Sequence, residues 1–192
     1  MTDVSQPVPP SPPSLSPPPP PSVPLIAVVM GVSGTGKSTL GAALARDLGW
    51  PYAEGDDFHS AANVAKMHAG HPLTDEDRWP WLRAIAAWAG EREQARSGGV
   101  VTCSALRRSY RDLLRAGHPD VRFICLVGSR EVLAARLAGR QGHFMPAALL
   151  DSQLATLEPL GADEPGGEVD IGGTPAETEL AARRLLAREP AP

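Results

Sequence analysis

The chain has 192 residues, 42% of them apolar and 21% charged, with a formal net charge of -4 and an isoelectric point near 5.7. That is enough chain for one domain with a substantial core, and the mild acidity argues against a general nucleic-acid binder. No apolar run approaches the ~20 residues of a membrane helix, no basic start precedes an apolar leader, and Cys103 and Cys125 lie in apolar runs like reduced core thiols, so the expectation is a soluble, cytoplasmic protein.

Residues 1–24 stand apart. Eleven of those 24 are proline. Such a composition cannot build a core, and a disordered, locally polyproline II tail is expected. Residues 25–192 carry the pattern of one folded domain. Residues 25–30 are a continuous apolar run, as a strand buried on both faces requires. Residues 37–48 read as a helix, and Tyr52 with Ala53 as a short second strand. Helical patterns follow over 61–69 and 75–95. In the second of these, Trp81, Ile85 and Trp88 share a face, and Thr74 with Asp77 resembles a capping box. Residues 100–103 and 123–127 are further buried strands, with helices over 105–116 and 131–140, and 169–171 is a short last strand. The closing helix starts from Thr174 as its cap, with Pro175 first and Glu177 three after the cap. Alternation of this kind predicts an α/β fold, a parallel sheet with helices on both faces.

The first strand runs into Gly31-Val32-Ser33-Gly34-Thr35-Gly36-Lys37-Ser38, a complete G-x-x-x-x-G-K-[ST] phosphate loop, or Walker A motif. Glycines let the backbone curl so that its N–H groups point at phosphate oxygens. The helix that follows, with Thr39 in its first turn, adds its positive end to the same anion. Lys37 supplies a point charge for the β and γ phosphates, and Ser38 a hydroxyl ligand for Mg²⁺. Of 18 basic side chains, only Lys37 and Lys66 are lysines. The expected cofactors are ATP and Mg²⁺. No N-K-x-D guanine motif and no second apolar strand ending in a carboxylate is present, which favours a small kinase over a GTPase switch or a motor.

Glu54-Gly55-Asp56-Asp57-Phe58-His59 follows the second strand, where ligands of open α/β sheets bind. Its alternately spaced acids put two carboxylates on one side of an extended segment. One can support Mg²⁺ through water, and the other can orient or deprotonate an acceptor hydroxyl. A solvated acidic turn with a helix cap accounts for the same residues equally well.

This run, followed by Asn63, Lys66-Met67, Gly70, Pro72-Leu73, Asp75, Asp77-Arg78 and Pro80-Trp81-Leu82, resembles the gluconokinases. So do Cys103-Ser104-Ala105-Leu106, Tyr110-Arg111-Asp112, Gly142-His143-Phe144-Met145-Pro146, Leu149-Leu150, Ser152-Gln153 and Thr156-Leu157-Glu158. The likeness spans residues 28–171. It implies ATP-dependent phosphorylation of D-gluconate at its 6-hydroxyl, a three-layer fold like that of shikimate and nucleoside-monophosphate kinases with five parallel strands and a mobile lid, and a homodimer. By the same likeness Asp56 would contact the reactive hydroxyl and Glu54 would assist Mg²⁺. Ser60 stands where the family often has Pro, and Arg107 where it often has Lys.

Gluconate offers a carboxylate and a row of hydroxyls. Arg78 is suited to fork the carboxylate, with His59, Lys66, Ser104, Arg107 and His143 as further substrate candidates. Arg136 and Arg140 share a helix face at i, i+4, next to Gly139 and Gly142. This reads as a short lid whose arginines meet the phosphates, with Arg140 the catalytic one. Without the family likeness, a kinase for another small hydroxy acid such as shikimate, or a non-catalytic nucleotide-binding regulator, fits the same residues.

Overall fold

The computed structural model describes Pro19, Pro21 and residues 23–139 and 147–188. The rest of the expected tail, and residues 140–146 with Arg140, His143 and most of the expected lid, lie outside the described residues.

Ile26–Met30 (β1) is buried along its whole length, and its pleat sorts the apolar run between two cores. Ala27 and Val29 pack with Leu40 and Leu44 on one face of the sheet, where Ala182 and Leu186 join them. Ile26, Val28 and Met30 pack on the other with Trp81, Leu82, Ile85 and Leu114. An alternating strand could not do this; an unbroken apolar one must. The first face is covered by Lys37–Leu48 (α1), Arg130–Ala138 (α5), Ala147–Thr156 (α6) and Pro175–Leu186 (α7). The second is covered by Asp75–Gln94 (α3) and Arg108–Arg115 (α4). Five parallel strands lie between them in the order β2-β3-β1-β4-β5, with Tyr52–Ala53 as β2, Gly99–Thr102 as β3, Val121–Val127 as β4 and Gly166–Asp170 as β5. This is the expected α/β architecture.

The caps read from sequence form. Thr74 accepts from the Asp77 N–H while Asp77 returns a bond to the Thr74 N–H, and Thr174 and Glu177 repeat the arrangement at α7. At Ala61–His68 (α2), Ser60 caps the helix by accepting from the Asn63 N–H, so the serine that stands where the family often has proline serves as a helix start.

Several boundaries differ from expectation. The helix expected over 105–116 begins at Arg108, because Ala105 adopts a positive φ of 43° and residues 103–107 form a loop. The strand expected over 169–171 runs instead from Gly166 to Asp170. Pairing with Phe123–Val127 of β4 imposes extended structure on two glycines that have no strand preference of their own. The sequence of α6 has no periodicity strong enough to announce it. A single 3₁₀ turn, Gly55–Phe58, also escapes a sequence pattern built on periods of two and 3.6.

Candidate active site

The phosphate loop follows β1 at the carboxyl edge of the sheet. Gly34 has a φ of 85°, and a Cβ there would stand 2.9 Å from Leu137. The position therefore needs glycine both for its backbone and for the close approach of α5. Gly36 caps α1 with no side-chain hydrogen bond, and no acidic residue lies in the first helical turn. The helix terminus thus keeps its positive end directed at the loop. Thr35 is buried and donates through Oγ1 to the Val32 carbonyl (2.8 Å), and Lys37 Nζ donates to the same carbonyl (3.1 Å). The Ser33 N–H donates to Oε1 of Gln153 at 2.7 Å. Arg136 donates to the Thr35 carbonyl (3.4 Å) and to the Ile171 carbonyl (2.7 Å), tying the loop to the chain beyond β5.

The acidic turn meets this loop. Glu54 accepts from Tyr52 Oη at 2.6 Å and from Thr102 Oγ1, and it lies beside Ser38 and Lys37. Burial pushes its carboxyl up, but the hydroxyls of Thr102, Tyr52 and Ser38 and the Lys37 charge outweigh that, leaving it below the ordinary carboxylate range. The Thr102 hydroxyl also accepts from the Gly55 N–H (2.9 Å), and Trp81 Nε1 donates to the Gly55 carbonyl (2.6 Å). A Cβ on Gly55 would stand 1.9 Å from the Thr102 carbonyl oxygen. Two long-range bonds and one forbidden side chain thus fix the turn from which the exposed Asp56 projects.

His59 stacks on Trp81 with ring centroids 4.3 Å apart, and its Nδ1 is buried without a hydrogen-bond partner. Burial pulls its pKa below the ordinary histidine value. Nearby Asp56 opposes that shift and Arg78 adds to it. Arg78 and Arg107 each set a guanidinium 5.9 Å from the centroid of the Tyr110 ring. Arg107 is paired with Asp75 at 2.8 Å, whereas no carboxylate pairs with Arg78 among the described residues. Lys66 is paired with Asp77 at 2.5 Å. Ser104 holds the phosphate loop through its backbone, accepting the Gly31 N–H at 3.3 Å. Cys103 lies beneath the site, its thiol pushed up to about 12 chiefly by burial, so it is no nucleophile at neutral pH.

The structure sets Lys37 and Ser38 beside Glu54, sets Asp56 and Arg78 near His59, and bonds Ser104 and Arg136 to the phosphate loop at Gly31 and Thr35. It turns Lys66 and Arg107 toward acids in the first turn of α3.

A family model described as "AAA domain" matches residues 26–160. A gluconokinase from Gluconobacter oxydans is 55% identical over 142 residues, covering 74% of this chain and 80% of that relative. The chain belongs to the gluconokinase family. A gluconokinase structure from Sinorhizobium meliloti superposes with a TM-score of 0.78 at 47% identity, covering 86% of this chain and 94% of that one. An unliganded sugar kinase from Janibacter sp. gives 0.80 at 50% identity, covering 85% and 94%.

Several residues of this gluconokinase-family site carry no sequence signal of their own. Thr102 and Tyr52 look like ordinary strand residues, yet both hold Glu54. Arg111 enters the sequence reading only within the Tyr110-Arg111-Asp112 likeness, with no role attached, yet its side chain is fully buried with that of Glu164, bonded at 2.6 and 2.9 Å. It also donates to the carbonyls of Ala105 and Leu106 and to those of Glu158 and Pro159. This pins the loop after β3 to the chain leaving α6.

Proposed function

We propose that this chain is an ATP-dependent gluconokinase that moves the γ-phosphoryl group of ATP to the 6-hydroxyl of D-gluconate, releasing ADP and 6-phospho-D-gluconate. What carries the reading is a gluconokinase-family sequence whose phosphate loop and acidic turn meet at Ser38 and Glu54. In the transfer the bond from O6 to the γ-phosphorus forms and the bond from that phosphorus to the β-γ bridging oxygen breaks. The proton of O6 passes to Asp56, which projects freely from the fixed turn. Residues Gly31 to Thr39 hold the phosphates through backbone N–H groups and the Lys37 charge, and Arg136 and Arg140 support them from the lid side.

Arg78 takes the gluconate carboxylate, because its charge alone of the two over Tyr110 is unmatched among the described residues. His59, Ser104 and His143 serve the hydroxyls. Lys66 of α2 and Arg107, which precedes α4, pair with acids in the first turn of α3 and brace the turn that presents Arg78. Among the described residues no cluster of three or more His, Cys, Asp or Glu could cage a metal. The hydroxyl of Ser38 and the carboxylate of Glu54 are hard oxygen donors of the kind that suits Mg²⁺ arriving with nucleotide phosphates. Held there, Mg²⁺ would supply positive charge to neutralise the charge that develops on the transferred phosphoryl group. A homodimer is what the family resemblance implies, and a cytoplasmic location accords with two free buried thiols.

The test is ADP release with Mg-ATP over gluconate, other aldonates, shikimate, glycerate and nucleoside monophosphates, against a no-acceptor control. Strong stimulation by gluconate is expected. Stimulation by another acceptor alone would replace the substrate, and none at all would favour a nucleotide-binding regulator.

A further inference from the structure

Helix α6 is where the described chain resumes after residue 146, and it is anchored on three sides. Asp151 pairs with Arg130 of α5 at 2.7 and 3.0 Å. Leu150 is 2% exposed within the core beneath it. Just past the helix, the Glu158 N–H donates to the Leu106 carbonyl at 2.8 Å, and the Glu158 carboxylate accepts the Arg108 N–H at 2.5 Å. From this support Gln153 reaches 120 residues back along the sequence to Ser33, the third residue of the phosphate loop.

The polarity of that contact is fixed by chemistry. A backbone N–H only donates, so the carboxamide turns its oxygen toward the loop and its NH₂ away. A neutral acceptor satisfies one N–H of the anion cradle without bringing a negative charge into it. A carboxylate would accept the same bond and repel phosphate.

We propose that Gln153 is a positioning residue of the phosphate loop: it fixes Ser33 from α6 and so couples that helix to nucleotide binding. The proposal rests on the nucleotide half of the function given above. It predicts that loop order and nucleotide affinity respond differently to two substitutions.

Gln153→Ala removes the acceptor. The Ser33 amide should then exchange its hydrogen faster, and ADP affinity should fall by up to about tenfold, the worth of one hydrogen bond. Gln153→Glu keeps an acceptor at Ser33, so amide protection should stay near wild type, while ADP affinity should fall further than in the alanine variant. Gluconate KM should not move in either. The measurements are amide exchange at Ser33 and calorimetric ADP binding on the full chain. Neither needs an acceptor substrate, so they remain informative if gluconate proves to be the wrong one. The crossed order, glutamate near wild type for protection but weakest for ADP, is the signature of the role. Unchanged exchange and affinity in the alanine variant, or a loss of thermal stability with both variants binding ADP normally, overturns it.

Discussion

The two halves of the site are built on different principles. The phosphate half is one contiguous stretch, Gly31 to Thr39, whose donors are backbone N–H groups and whose shape follows from glycine positions and a helix start. The proposed acceptor half draws on Asp56 to His59, Arg78, Trp81, the loop after Thr102 and Tyr110, held by bonds such as Gly55 to Thr102 and Trp81 to Gly55. A local device survives as a motif; a dispersed one exists only once the chain is folded. The difference should be visible in kinetics, since changes on the acceptor half should leave nucleotide binding alone.

The sharpest separation comes from Asp56→Asn. Asp56 is exposed on a turn pinned by other residues, so the substitution removes a proton acceptor without disturbing the pins. Turnover should fall by about 10²-fold or more while ADP affinity is kept. Single-turnover kinetics and calorimetry would read the two quantities. Near-normal turnover would remove Asp56 from the mechanism, and a parallel loss of ADP affinity would mean that the halves are not separable.

A smaller effect is expected of Arg78→Lys. Charge is kept, but the planar fork and its stacking over Tyr110 are lost. Gluconate KM should rise by about tenfold, with ATP KM unchanged. Equal changes in both constants would mean that Arg78 braces the fold and does not read the carboxylate.

The same contrast explains what could be read in advance. The parallel sheet was legible because β1 and residues 123–127 of β4 are unbroken apolar runs, and α3 and α7 because their capping boxes are local. The phosphate loop was legible for the same reason. β5 was legible only at its end, since Gly166 and Gly167 become strand through pairing with β4. Gln153, Thr102 and the Arg111–Glu164 pair were not legible as site-supporting residues. Each acts across long sequence separations, and none differs in type from a bland surface, strand or helix residue. On the acceptor side the acidic turn was half-legible from its place after β2, a solvated turn fitting equally well, and the family resemblance decided for Arg78, because nothing in the spacing of Asp56 and Arg78 says that both approach His59.

The smallest effect concerns pH. His59 has a folded-state pKa below its ordinary value of 6.5, chiefly because its ring is half-buried against Trp81. Below that ordinary value the unfolded chain takes up a proton that the folded chain refuses, so stability falls as pH drops toward the folded value and then levels off. The Asp56 carboxylate softens the loss and Arg78 deepens it. His59→Phe keeps a ring for Trp81 and removes the titration. Between pH 7.5 and 5.5 the wild-type Tm should therefore drop further than that of the variant, by on the order of a degree or two. Adding gluconate sharpens the result. If His59 serves a substrate hydroxyl through its buried Nδ1, saturating gluconate should protect the wild type more than His59→Phe at pH 7.5. Parallel Tm profiles with equal protection by gluconate would make the histidine a packing residue and leave Arg78 and Asp56 to define the acceptor half.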